Sequence, residues 1–313
     1  MKKSTYISLF VLTGVLIALG LIVPYWLSFL ITVALSKGLV VLGLMLLMRA
    51  GMVSFGQGLY YCAGAYSVGA FSQYFKIDDI LVLLLVAISV GGTVSAIVGL
   101  LLARYREIFF AMFSMAFSMI LYGILVKSTS FGSSDGFNVI SPTLFGWAPQ
   151  LEGGPILPFI TISLIVMIVS IMMYHYFNSP MGMAGEAIRE NEIRVEYLGI
   201  SVHRVIYYKY IMAAVLASIG GAMTAMTVGH IDPEMAYWTT SGEFVFITLM
   251  GGTAHVAAPF LGAVVFELMR SFAFQYSPYT WQMVLGIALL AIIIFLPKGL
   301  WSLKSKIIKG DQV

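Results

Sequence analysis

Three ionisable side chains, Lys37, Glu243 and Glu267, fall at membrane depth when the sequence is read as apolar helices. A charge at such a depth is expensive unless it is paired, hydrogen-bonded or in a wet cavity, so Lys37 is expected to face the protein interior. Glu267 has Arg270 three residues later on the same helical face, and a structural ion pair is its first reading. An ion-coupled carrier uses an unpaired acid in its pathway, which leaves Glu243 as the candidate; its other reading is a local hydrogen-bonding group. Covalent and phosphate chemistry find no residues. There is no G-x-x-x-x-G-K-[ST] for an ATP phosphate cradle, no H-E-x-x-H and no nucleophile elbow. The four histidines make no metal-ligand spacing, and Cys62, the only cysteine, forms no intrachain disulfide.

A second constellation is the charged run Met181 to Gly199. Built as one helix, it puts Ala184, Ala187, Ile188, Val195 and Leu198 on a stripe interrupted only by Asn191. The opposite side carries Glu186, Arg189, Glu190, Glu192, Arg194 and Glu196, with Ile193 and Tyr197 among them. Signs alternate, unlike the Lys/Arg-rich face of a lipid-surface helix. A face that docks on a protein partner fits this pattern, and so does a solvated helix held by local pairs such as Glu190 with Arg194.

The elements that must position these groups are membrane spans. Hydrophobic residues make up 60% of the chain and charged residues 10%, with a mean hydropathy of +0.97, which excludes a soluble domain. The net charge of +3 is too small to suggest nucleic acid. The 313 residues hold roughly ten spans of about 20 residues each. The predicted fold class is all-α, a polytopic membrane protein of about ten transmembrane helices forming one transmembrane domain over residues 1–313. The first span runs from about Tyr6 to Val23 and the second from about Leu27 to Met48. After Arg49, a run with Gly51, Gly56, Gly58, Gly64 and Gly69 among Ser54, Gln57 and Ser67 predicts a broken or closely packed helix. Gly51, Ser54, Gly56, Gln57 and Gly58 are candidates for a pathway wall, ordinary close packing being the alternative.

Lys and Arg concentrate in alternate loops, which predicts cytoplasmic termini, a cytoplasmic segment over 179–204 and an external segment from Lys127 to Pro155. His230 to Thr240 is expected on the external side as well. Two compact spans fit between Ser241 and Phe274, divided near Gly251 to Pro259, and a last one runs from about Tyr279 to Phe295. Lys127 and Arg270 are expected to snorkel at outer helix ends. Ser134, Asp135 and Gly136, in the external loop, are candidates for a gate or partner contact, or a plain turn.

These residues carry a family resemblance. The Gly185 to Gly199 segment, with Ala187-Ile188-Arg189-Glu190-Asn191-Glu192 and Leu198-Gly199-Ile200, resembles the cytoplasmic coupling segment of LivM-type ABC transporter permeases for branched-chain amino acids. Further similar stretches follow in the same order: Gly51 to Tyr66, Phe110-Ala111-Met112 with Ala116-Phe117, Ser134-Asp135-Gly136, Ser241-Gly242-Glu243, Gly251-Gly252, Pro259 with Gly262, and Leu296-Pro297 before Gly299-Leu300. They cover most of the chain from about Leu35 to Leu303. The sequence departs from the pattern at Thr253-Ala254-His255-Val256-Ala257-Ala258, where the family has further Gly and Thr.

The resemblance implies a bacterial inner-membrane permease that is not itself an enzyme. It implies pairing with a LivH-like permease, two cytoplasmic ATPase subunits that hold ATP and magnesium, and an extracytoplasmic substrate-binding protein; this chain itself would carry no cofactor. It makes Glu186, Arg189, Glu190, Asn191, Glu192, Ile193 and Arg194 the ATPase-coupling residues and Glu243 a pathway candidate. Urea, amide and other small-solute importers have similar permeases. An ion-coupled secondary carrier and a polytopic membrane enzyme are the readings from other classes, and adjacent ATPase, permease and binding-protein reading frames would separate them from the first.

Overall fold

The computed structural model describes residues 23–151, 154–276, 278–296 and 299–302. Apart from Val23, the expected first span lies outside these residues, as do Pro297 and the lysines of the C-terminal tail. Among the described residues there are eleven α-helices: α1 Tyr25–Met48, α2 Gln57–Phe75, α3 Ile80–Leu102, α4 Glu107–Lys127, α5 Leu157–Phe177, α6 Pro180–Glu190, α7 Glu192–Tyr197, α8 Val202–Val228, α9 Trp238–Gly251, α10 Ala258–Tyr276 and α11 Trp281–Phe295. Four two-residue strands lie in the connections: β1 Phe137–Asn138, β2 Gln150–Leu151, β3 Gly154–Pro155 and β4 His230–Ile231.

Five helices, α1, α3, α4, α5 and α8, are long and apolar enough to cross a membrane. The expectation of about ten spans therefore reaches only five by length and composition among the described residues. At 1.5 Å per residue, the 14 residues of α9 rise only about 21 Å, short of a hydrocarbon core of about 30 Å. α3 and α4 turn Leu85, Ile97, Leu100, Ile108, Phe109, Ile120 and Ile124 outward. So much outward apolar surface suits lipid rather than water.

α8 is the hub, packed against α1, α2 and α3. Its glycine pair sets the spacing. A Cβ on Gly220 would stand 2.5 Å from the Ser36 carbonyl oxygen of α1, and one on Gly221 would run into the Tyr61 carbonyl of α2. Backbones this close admit no side chain between them. Within α1, the hydroxyls of Thr32 and Ser36 donate to the carbonyls four residues back, at 2.7 and 2.8 Å, so these buried polar groups need no other partner.

The connections gather into two groups at the ends of α8. At one end β1 pairs antiparallel with β4, Phe137 opposite Ile231, which joins the 127–155 segment to the loop after α8. Asp79 belongs to this end. It caps α3 by accepting from the Leu81 and Val82 N–H groups and takes a third bond from Phe145. The Phe145 N–H, helped by those of Val82 and Leu81, holds its carboxyl below the usual range against the opposing effect of burial. At the other end of α8, His203 Nδ1 meets the Ala103 carbonyl at 3.2 Å and α6 and α7 lie beside it. The two segments expected to share the external side thus meet at one end of the molecule. The charged segment is at the other.

Candidate functional site

The three intramembrane charges come together with Arg270. Lys37, near the middle of α1, places Nζ 2.6 Å from Oε1 of Glu243 on α9 and 2.6 Å from Oε1 of Glu267 on α10. Hydrogen-bond geometry is met only with Glu243. Arg270 Nη1 lies 3.5 Å from Glu243 and 3.8 Å from Glu267, distances of charge contact rather than of good hydrogen bonds. Two cations and two carboxylates make a neutral cluster at the α1, α9, α10 junction, which is how charge survives burial. The sequence expectations for these groups have different outcomes. Glu243 is a hydrogen-bonding group and not an isolated acid, but its partner, Lys37, lies 206 positions away and is not local. Glu267 keeps the expected ion pair with Arg270, at 3.8 Å, and gains Lys37 as a nearer partner. Arg270 turns into the cluster instead of snorkelling outward, with its guanidinium 5.5 Å from the Trp281 ring.

The charged segment forms the second polar assembly. It is two helices, because Asn191 leaves the helical conformation at the end of α6 and its side chain accepts from the Arg194 N–H at 2.9 Å, capping α7. The break rotates the stripe. Ala184, Ile188 and Val195 are buried as expected, whereas Ala187 and Leu198 are exposed. It also parts Glu190 from Arg194, and the ion pairs run to the membrane body instead. Arg106, from the α3–α4 turn, holds Glu192 through three bonds at 3.1, 2.9 and 2.8 Å and donates to the Ala103 and Tyr105 carbonyls. Arg49, at the end of α1, reaches Glu186 at 3.3 Å, donates to the Thr253 carbonyl at 2.8 Å and lies over the Phe177 ring. Among the described residues, no ion pair involves Arg189, Glu190, Arg194 or Glu196. A cleft of 550 Å³ opens between Arg49, Glu186, Arg189, Glu190, Thr253 and Ala254.

The glycine-rich run breaks as expected between α1 and α2. Gly51 has φ +79° and sits against Arg189, so the break abuts α6. Ser54 and Gln57 have no exposed surface. A Cβ on Gly56 would press the Ser114 carbonyl of α4 at 2.6 Å, and the Gly58 N–H donates to the Ser241 hydroxyl of α9 at 2.9 Å. Both side-chain amide atoms of Gln57 are buried without a hydrogen-bond partner. At the opposite end Ser134 and Asp135 are exposed, bonded to each other at 3.1 Å, while Gly136, φ +65°, lies flush against the Ile231 carbonyl.

Residues 26–293 match the family described as branched-chain amino acid transport system, permease component. The chain belongs to this family of permeases. It is 27% identical over 296 residues to the high-affinity branched-chain amino acid transport system permease protein LivM of Salmonella typhimurium, covering 84% of this chain and 68% of that protein. The LivM protein of Escherichia coli is 26% identical over the same shares. The Escherichia coli permease protein LivH is 24% identical over 123 residues, 39% of this chain and 40% of that protein. No solved structure matches the permease.

The turn where the permease departs from the family pattern proves to be a junction. Thr253 receives Arg49, Val256 is buried, and His255 stacks on Trp301 with ring centroids 4.5 Å apart. Sequence reading missed the binding of Glu186 and Glu192 to Arg49 and Arg106. The available signal was that these arginines end apolar runs at a face where carboxylates also gather.

Proposed function

We propose that this permease is one of two membrane subunits of an ATP-binding-cassette importer for branched-chain amino acids in a bacterial inner membrane, with both termini cytoplasmic. The observation that carries the reading is family membership joined to likeness with two kinds of permease, LivM over most of the chain and LivH over part of it. A LivH-like chain is the partner in the membrane. Two cytoplasmic ATPase subunits bind ATP and magnesium, and an extracytoplasmic binding protein delivers the solute.

In this reading the 179–204 segment couples the ATPase to the spans. Ile193 and Tyr197 support it, 65% and 87% exposed beside the unpaired Arg189, Glu190 and Arg194, a surface suited to a protein groove. Glu186 and Glu192 tie the same segment to the body, Asn191 sets the angle between its two helices, and α6 and α7 pass movement inward through Arg49 and Arg106. The Gly51 to Gly58 break, with Ser54, Gly56 and Gln57, adjoins both α6 and α9 and serves as a pathway element together with Glu243. Ser134, Asp135 and Gly136 form the contact for the binding protein or the outer gate.

The test is reconstitution with the candidate partner permease, ATPases and binding protein, followed by uptake of labelled leucine, isoleucine, valine, urea and amides. ATP-dependent uptake of the branched-chain amino acids is expected. Uptake driven by an ion gradient without ATPase, or a preference for urea or amides, would overturn it.

A further inference from the structure

We propose that the cleft between α9, α10 and α11 is a binding site for a zwitterionic amino acid with an apolar side chain, its carboxylate on Arg270 and its ammonium on Glu243. The inference rests on the transport reading above and adds the place and the chemistry of recognition. The cleft measures 360 Å³, within the roughly 300–1,000 Å³ range of small-molecule sites. Of the four clustered charges only Glu243 and Arg270 line it, with side chains 23% and 39% exposed against 9% for Lys37 and 11% for Glu267. Phe246, Phe266, Trp281 and Leu285 supply the apolar wall.

Arg270 contacts both carboxylates at 3.5 Å or more, so its planar fork keeps donors for a carboxylate that approaches in the plane. The ligand carboxylate would take the guanidinium while its ammonium meets Glu243, and the long Glu243 to Arg270 contact would give way to two short ones. The buried cluster is neutral, and a zwitterion leaves it so; Glu234, which also lines the cleft, is exposed at its rim, where solvent screens its charge. An amine or an acid alone would add an uncompensated unit charge in a low-dielectric site. The 780 Å³ cleft on the other side of Arg270 offers Glu267 instead, whose near oxygen is enclosed with Lys37.

The test uses the assembled transporter in membranes with Cys62→Ala and a reporter Gln282→Cys, whose side chain is exposed in this cleft, or Met283→Cys, exposed beside it but outside the lining. Maleimide labelling of Gln282→Cys should slow about ten-fold once L-leucine occupies about nine-tenths of the sites. Met283→Cys should be unaffected, and 3-methylbutylamine and 4-methylpentanoate should not protect. Glu243→Gln or Arg270→Lys should raise the half-protecting leucine concentration by about ten-fold or more, as for a lost charge-assisted hydrogen bond. The reporter arm keeps the native cluster, so the site can be refuted even if those two variants fail to fold. Leucine uptake without protection of Gln282→Cys overturns this site and leaves the cargo standing, as does equal protection by the amine or the acid. No leucine uptake by the wild-type assembly overturns the cargo and this inference with it.

Discussion

Replacing Lys37 with methionine removes the cation that meets two carboxylates at 2.6 Å and leaves Glu243 and Glu267 sharing Arg270 at 3.5 and 3.8 Å. At an effective dielectric of about 20, each 2.6 Å contact is worth about 6 kcal/mol of gross Coulomb attraction, most of which offsets desolvation. The net cost expected for stranding a buried charge is about 3–5 kcal/mol. Charge arithmetic gives the control. The native cluster holds two cations and two anions, Lys37→Met leaves one cation against two anions, and Lys37→Met with Glu267→Gln restores balance. The double variant should therefore recover at least about half of the loss, a coupling that only a double-mutant cycle reveals. Purified permease in detergent, unfolded by heat or by increasing denaturant, gives all three stabilities on one scale. If the double variant is no more stable than Lys37→Met, or if Lys37→Met costs under about 1 kcal/mol, the cluster is not what keeps these charges inside.

Three further outcomes follow. In a Cys62→Ala background, Glu190→Cys should label from the cytoplasmic side and Asp135→Cys from the opposite side, and the reverse would invert the proposed orientation. The pair Glu190→Ala with Ile193→Ala should reduce ATPase co-purification or uncouple hydrolysis from uptake. Ile188→Ala, on the buried side, should instead lower folded yield through a loss of about 2–5 kcal/mol, and normal uptake by the first pair would reject α6 and α7 as the coupling element. Asp79→Ala should destabilise by roughly 0.5–2 kcal/mol through the lost α3 cap. Because the folded Asp79 pKa is lowered, its contribution is present above the unfolded value of about 3.9 and fades as pH falls through the lower folded value, so wild type and variant should converge in acid.

Much of this molecule could be read from residue order. Apolar runs located the long helices, Gly51 and Gly56 located the break, and Lys37 announced its need for a partner. Which partner it takes was not legible, because periodicity reports neighbours three or four residues away and Glu243 is 206 positions distant. Arg270 was misplaced for the same reason: its sequence surroundings resemble a helix end, and only the crossing of α1 with α10 turns it inward. Asn191 was visible as a gap in an apolar stripe. Its side chain makes it a helix stop, and that single change of direction exposes Ala187 and Leu198 and frees Glu192 to reach Arg106. The count of spans was the least legible part, because at α9 an apolar pattern marks burial in the protein as readily as burial in lipid.

The glycine pair of α8 also governs what can move. Gly220 and Gly221 admit the backbones of α1 and α2 where no side chain would fit. Sliding either helix along α8 by about one turn would bring it against same-face residues such as Ala217 or Thr224, whose side chains would fill the gap that a glycine now leaves open. The three helices are therefore keyed together like teeth in a rack, a packing that resists sliding of one past another. The seam toward α9 and α10 is joined by charges instead of by interlocked backbones. There Arg270 stands almost equally far from two carboxylates, at 3.5 and 3.8 Å, a charge contact that tolerates small displacements better than interlocked backbones do.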